Sequence, residues 1–387
     1  MSDAAGATGV GSGSGPAAPT PTLPDYGGAC IASLVPALAA RRHSTVSWLP
    51  QPAVDAEQLV LLVLDGLGWS ALRSGARHAP ALSGAVGGPV TSVAPTTTAT
   101  ALTSIATGTT PAQHGVVGYR LAVGAERGRE VMNVLRWRTD SGDARQSSPA
   151  RLFQPRAAFL GNNVPALTRS EFASTGFTAA HLAGCRLVGW NVPSTIVVEV
   201  KRLVDAGEPL VYVYYDGLDK VAHQYGLGDH YQAELANADR LVSDLAAVLG
   251  QSGALVVTSD HGQVEVGDAV RLPGPDLLSG VELISGEGRF RWFHCRRGAS
   301  DDVLACAQAQ FGDEAWIRTR DEMVAEGWYG GPLAPQVSDR LGDVAVVAHA
   351  PVAVLDPADT GETRLMARHG SLTEAEMYVP LVALRGS

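Results

Sequence analysis

Leu59-Val60-Leu61-Leu62-Val63-Leu64-Asp65-Gly66 is the stretch that decides the fold. Six consecutive apolar residues without polar alternation read as a strand covered on both faces, because a strand with one wet face would alternate at period two. The acid that ends the run is costly inside a core and natural in a crevice. Two more runs repeat the arrangement. Leu210-Val211-Tyr212-Val213-Tyr214-Tyr215 is followed by Asp219, and Ala254-Leu255-Val256-Val257-Thr258-Ser259 ends on Asp260. Open α/β sheets bind ligands outside the carboxyl ends of their strands. Three acids in equivalent places therefore predict one site.

Around these runs the spacing predicts helices over 31–38, 69–73, 98–107 with Gly108 as stop, 179–183, 194–206 and 231–250. Further strands are expected at 90–93, 157–160, 186–189 and 379–384. Strands alternating with helices imply an α/β fold with a doubly wound, mostly parallel sheet. The pattern changes over 263–357. Segments 281–284 and 289–294 read as a hairpin around Ser285-Gly286-Glu287-Gly288, 301–310 as a helix, and 344–347 and 352–355 as strands. This predicts a smaller α+β insertion, or cap, within a catalytic domain formed by 25–262 and 358–387. With 387 residues and 45% hydrophobic content, the chain has room for such a core.

Residues 1–24 are mostly Gly, Ala, Ser, Thr and Pro, which predicts a disordered tail. The tail lacks the basic and apolar regions of a secretory signal, and no run of 18 apolar residues predicts a membrane span. Cys30, Cys185, Cys295 and Cys306 show no CxxC spacing and read as reduced thiols. Together these features give a cytoplasmic expectation. A net charge of −10 argues against a nucleic-acid polymer as partner. The only lysines are Lys201 and Lys220, so a phosphate clamp here would be a guanidinium.

The candidate chemistry is spread over the whole chain. Asp219 and His223 stand at i and i+4, on one helical face and able to share an ion, although such a pair is also common on surfaces. Asp216, seven residues before His223, is the second choice. Asp260-His261-Gly262 follows an apolar strand directly, where a turn lets both side chains face the crevice; an Asx turn with a bystander histidine is the plainer reading. His369-Gly370 precedes the final strand. Pro95-Thr96-Thr97-Thr98-Ala99-Thr100 is either a helix-capping cluster or a nucleophile at a helix N-terminus, where backbone N–H groups and the dipole favour phosphate. Each segment alone is weak, but their order and their places at strand ends favour one site.

Leu64-Asp65-Gly66, Pro95-Thr96-Thr97-Thr98 through Thr107-Gly108, His114-Gly115-Val116-Val117, Asp219-Lys220-Val221-Ala222-His223, Ser259-Asp260-His261-Gly262 and His369-Gly370 together resemble the alkaline phosphatase superfamily, in its type I phosphodiesterase/nucleotide pyrophosphatase branch. The resemblance spans residues 58 to 384 discontinuously. It implies two zinc ions, one held by Asp219, His223 and His369 and the other by Asp65, Asp260 and His261, with Thr98 as a nucleophile that bridges toward the metals. The distance to Thr107-Gly108 selects Thr98 among its neighbours. Manganese and iron use the same ligand types. The implied reaction is an in-line displacement between two divalent ions about 4 Å apart, through a phosphothreonine.

Two departures bear on substrate. Where the branch usually carries an Asn to bind a phosphoryl oxygen, this chain has Tyr119, whose phenol can donate one hydrogen bond to that oxygen. The aromatic pair that sandwiches a nucleobase has no identifiable counterpart, so nucleotide specificity is not inherited. The expected substrate is a small phosphate ester or phosphonate, with a diester favoured because no Arg adjoins Thr98 and no spare acids offer a third metal site. The alternatives are a phosphomonoesterase or phosphonate hydrolase of the same superfamily and, more remotely, a non-catalytic phosphate-binding protein.

Overall fold

Along the strand Gln58–Leu64, side chains alternate between two cores. Leu59, Leu61 and Val63 join one buried cluster, while Val60, Leu62 and Leu64 join another on the opposite face. The neighbouring strands divide the same way: Tyr212, Tyr214, Ala254 and Val256 face the first core, and Val211, Val213, Leu255 and Val257 face the second. A run apolar at every position is what such a sheet needs, each fully buried Val or Leu contributing about 1.5–3 kcal/mol. The computed structural model describes residues 19–43, 46–124, 128–358 and 364–386.

The central sheet has seven strands in the order Val86–Thr91, Tyr378–Arg385, Gly253–Thr258, Gln58–Leu64, Leu210–Tyr215, Pro165–Arg169, Arg186–Trp190. Only Tyr378–Arg385 runs against its neighbours; the other paired strands are parallel. Helices cover both faces. Asp229–Ala247 buries Tyr231, Leu235, Ala238, Leu241, Val242 and Leu245 on one side, and Thr98–Thr107 is buried along its whole length on the other. The fold is the expected doubly wound, mostly parallel α/β sheet.

Several local expectations are corrected. Segment 157–160 is a turn rather than a strand, with Phe159 and Leu160 at φ 47° and 58°, values outside the β region. The strand of this region is Pro165–Arg169, and its helix is Gly176–His181 rather than 179–183. The strand expected at 90–93 begins earlier and runs Val86–Thr91. Of the supposed tail, residues 1–18 lie outside the described residues. Residues 19–24 run along the body: Thr22 N–H donates to Leu372 O (2.9 Å) and Trp316 Nε1 donates to Pro19 O (2.5 Å). All four cysteines are free.

Besides two two-stranded pairs, Val264–Glu265 with Ala367–Arg368 and Val270–Arg271 with Ala353–Val354, two four-stranded antiparallel sheets stand around the strand ends. One, within 281–348, orders Val281–Glu287, Phe290–Cys295, Val344–Ala348 and Ala315–Thr319. Its strand Val281–Glu287 extends three residues into the expected loop, which leaves Gly288 and Arg289 as the turn. One face packs on helix Ser300–Phe311, while Phe290, Trp292, Trp316, Ala345 and Val347 join the main core. Arg289 is fully buried and makes paired bonds to Glu376 (2.8 and 2.7 Å), which ties this hairpin to the short helix Glu374–Met377 after His369. The other sheet, Arg120–Val123, Glu130–Asn133, Arg138–Thr139 and Gly142–Asp143, has no counterpart in the sequence-based reading.

Candidate active site

Because Gly253–Thr258, Gln58–Leu64 and Leu210–Tyr215 are adjacent and parallel, their carboxyl ends lie side by side. Asp65, Asp260 and His261 follow two of them directly, and Asp219 and His223 come from helix Gly217–Tyr225, just beyond the third. Glycines permit the close approach. Gly66 has φ 78°, and a Cβ there would lie 2.5 Å from Gln263 Nε2; a Cβ on Gly262 would meet Ala375 O at 1.9 Å. Thr98 is the first residue of helix Thr98–Thr107, after Thr97 in extended conformation, so the helix's unpaired N–H groups surround it.

The seven expected residues converge. His261 Nε2 lies 3.4 Å from Asp65 Oδ1, 3.3 Å from Asp260 Oδ2 and 3.1 Å from Thr98 Oγ1. Asp219 Oδ1 lies 3.3 Å from His223 Nε2 and 3.8 Å from His369 Nε2. Donor atoms of Asp219, His223 and His369 fall within 4.8 Å of one another, and so do those of Asp65, Asp219 and His261. Asp219 thus faces both groups. Asp216, the second choice, points elsewhere, to Lys220 Nζ at 2.6 Å and Arg169 Nη1 at 3.4 Å.

The imidazoles share one orientation. His223 Nδ1 meets Ala367 O (2.8 Å), His369 Nδ1 meets Thr96 O (2.9 Å) and His261 Nδ1 meets Gly262 O (3.1 Å). A carbonyl only accepts, so each Nδ1 carries the proton and each Nε2 lone pair faces inward, as a metal ligand requires. Asp65 Oδ1 and Asp260 Oδ2 are buried without a hydrogen-bond partner, although the partner oxygens are held, by Tyr214 Oη and by the Gly66 and His261 N–H groups. Unpaired buried carboxylate oxygens beside inward lone pairs fit a cation and little else.

The electrostatics agree. Burial, reinforced by Asp260 and Asp219, pushes the Asp65 carboxyl well above the usual carboxylate range, and burial raises Asp219 too. Burial, then the neighbouring His261 and His223, holds the His369 imidazole well below its ordinary value. A divalent cation would reverse both penalties.

Two cavities meet at Thr98. One, of about 500 Å³, is lined by Thr97, Thr98, Tyr119, Asn133, Asp219, His223, Glu287 and His369 among others. The second, of about 540 Å³, is lined by Thr98, Leu102, Phe172, Phe177, Tyr212 and Tyr214 among others. Leu135 and Arg136 border both. Sequence reasoning reached Tyr119 but missed Asn133, Arg136 and Glu287. Glu287 accepts from Thr97 Oγ1 (3.2 Å) and its Oε2 stands 4.0 Å from His369 Nδ1. No sequence signal marked it: Val281–Glu287 does not alternate and carries a register irregularity near its start, and Ser285-Gly286-Glu287-Gly288 reads as a turn.

A family model described as type I phosphodiesterase/nucleotide pyrophosphatase matches residues 59–372. The chain belongs to that family. It is accordingly a phosphoric-ester hydrolase with an alkaline phosphatase-like fold. No curated protein matches its sequence. Among solved structures, murine ectonucleotide pyrophosphatase/phosphodiesterase 5 aligns over 84% of this chain and 87% of its own, at 15% identity and TM-score 0.61. Phosphonoacetate hydrolase from Sinorhizobium meliloti 1021, in complex with phosphonoformate, aligns over 86% and 91%, at 19% identity and TM-score 0.63. Among the described residues no helix is long and apolar enough to cross a membrane.

Proposed function

We propose that the chain hydrolyses small phosphodiesters at a two-zinc centre, with Thr98 as nucleophile. The observation that carries the metal reading is the pair of orphaned carboxylate oxygens facing His261 Nε2, with the inward Nε2 atoms of His223 and His369 gathered at Asp219 beside them. Asp219, His223 and His369 would hold one ion, and Asp65, Asp260 and His261 the other; mixed His/Asp sets suit zinc better than magnesium. Bound metal would supply positive charge at the oxygens that gain negative charge and would lower the pKa of the attacking hydroxyl.

Thr98 Oγ attacks phosphorus as its proton passes to solvent, from which the departing alkoxide takes one up. A P–O bond to Thr98 forms, the bond to the leaving alkoxide breaks, and water then cleaves the phosphothreonine and restores the hydroxyl. The first turn of helix Thr98–Thr107 aims unpaired N–H groups at the phosphoryl oxygens. The double cavity supports a diester, because an ester with phosphorus at Thr98 has one chamber for each substituent. Arg120 does not supply the extra charge that a monoester dianion wants, since it is turned to Asp356 at 3.0 Å. A related murine structure, a threonine-to-alanine variant described as inactive, is in complex with AMP, which fits a nucleophilic threonine and an organic substituent. A phosphonate with a second acidic group is the second reading, favoured by the place of Arg136 at the junction of the chambers.

Purified protein should contain about two zinc equivalents, lose hydrolysis on chelation and regain it with zinc. Its kcat/KM should be higher for bis-nitrophenyl phosphate than for nitrophenyl phosphate. Active protein with one metal or none would sink the two-metal reading; a tenfold preference for the monoester would sink only the diesterase assignment.

A further inference from the structure

We propose that Asn133 is a catalytic residue that donates an amide N–H to a non-bridging phosphoryl oxygen, and that Tyr119 positions it. This rests on the phosphoryl-transfer reading above. Asn133 ends the strand Glu130–Asn133, where it pairs with Arg120 and so comes beside Tyr119; Val134 N–H donating to Tyr119 O (2.9 Å) continues the pairing. The chain then turns back. Trp137 is buried at φ 54°, anchored by its Nε1 donating to Ser148 O (2.8 Å), and the Arg136 N–H meets Asn133 Oδ1 at 3.0 Å.

That contact fixes which way the amide faces. An N–H donor needs the carbonyl oxygen, so the NH₂ end lies against Tyr119 Oη, at 2.6 Å. One Nδ2 hydrogen is used there; the second has no acceptor among the described residues. Asn133 lines the chamber that holds Thr98, Asp219, His223 and His369 and is absent from the walls of the aromatic one, so its remaining N–H faces the chamber in which the phosphoryl group meets Thr98. A donor already held by two hydrogen bonds costs no reorganisation when charge develops on that oxygen. Tyr119 therefore acts through Asn133.

Asn133→Ala, Asn133→Asp, Tyr119→Phe and the double variant should be compared with zinc-loaded wild type on bis-nitrophenyl phosphate, with orthovanadate inhibition as a second readout. Loss of one such donor predicts a kcat decrease on the order of 10- to 100-fold for Asn133→Ala. Orthovanadate affinity should weaken in parallel, with zinc content and Tm unchanged. Asn133→Asp should be worse than Ala, because it sets an anion against an anion. Tyr119→Phe should lose less than Asn133→Ala, and the double variant should lose no more than Asn133→Ala alone. The proposal is overturned if Asn133→Ala stays within twofold or loses zinc in proportion to activity, if Tyr119→Phe costs more than Asn133→Ala, or if Asn133→Asp works as well as Ala. Inactive or zinc-free wild type would instead overturn the phosphoryl-transfer reading itself.

Discussion

At the strand ends every reactive group is gripped from behind, whereas at the lip of the cavity side chains are carried on added β structure. His223, His261 and His369 each have Nδ1 bound to a backbone carbonyl, and Asp65 and Asp260 each keep one oxygen occupied by fixed donors. The lip is built from the sheet of 120–143, the hairpin Val281–Cys295 and the turn Ser170–Phe172, which bring Tyr119, Asn133, Arg136, Glu287 and Phe172 to the two chambers. The difference suggests a division of labour. Rigid strand ends hold groups whose displacement by an ångström would cost rate, and the added elements shape what enters. Substitutions at strand ends should then lower kcat, and those of lip side chains that touch only the organic substituent should act through KM; Asn133, aimed at the phosphoryl group, and Tyr119, which positions it, are the lip residues expected to lower kcat.

The largest effect should come from the nucleophile. Thr98→Ala removes one oxygen from a site held by six other groups, so turnover should fall on the order of 10⁴-fold or more while zinc content and fold persist. Thr96 and Thr97 have other tasks: Thr96 Oγ1 donates to Ser371 O at 2.7 Å, and Thr97 Oγ1 to Glu287. Thr97→Ala should cost far less. Retention of more than a few per cent of activity by Thr98→Ala, measured by single-turnover phosphate release, would mean that another oxygen attacks.

Within the ligand cluster the two groups need not be equal. Asp219 faces both, while His223 belongs to one. Asp219→Ala should empty the position shared with His223 and His369 and also weaken the other, whereas His223→Ala should weaken only its own, read as zinc per chain after dialysis against a weak chelator. Equal depletion by the two would show that Asp219 serves a single ion.

What was legible in the sequence follows the same division. A strand buried on both faces must be apolar at every position, and the acid that stops it is conspicuous, so Asp65 and Asp260 announced both the sheet and the edge at which the candidate residues gather. His369 was legible only jointly with the others, because one histidine before a strand says nothing alone. The lip was illegible for physical reasons. Strands of two to four residues in the 120–143 sheet are too short to show a period, and the turn at Trp137 uses a left-handed conformation that the residue type does not advertise. Segment 157–160 misled because a short apolar run reads as strand, while Phe159 serves the core from a turn.

The smallest effect expected is at the wall of the aromatic chamber, and it separates the two regions most sharply. Phe172 is half-buried there, with the Lys220 ammonium 5.9 Å from its ring centre, and it is absent from the chamber lined by Asp219, His223 and His369. Phe177 in the same wall is a poorer probe, because it is buried and stacked on His181 at 4.1 Å, so removing it would disturb packing as well. Phe172→Ala removes apolar contact that a nitrophenyl group makes equally in ground and transition states. Losing about 1 kcal/mol of such contact raises KM for bis-nitrophenyl phosphate by about fivefold and leaves kcat within twofold. Steady-state kinetics with unchanged zinc content would check this. A fall in kcat with KM unchanged would mean that the chamber wall positions the reacting groups, and the separation between strand ends and lip would then fail on the side of the aromatic chamber.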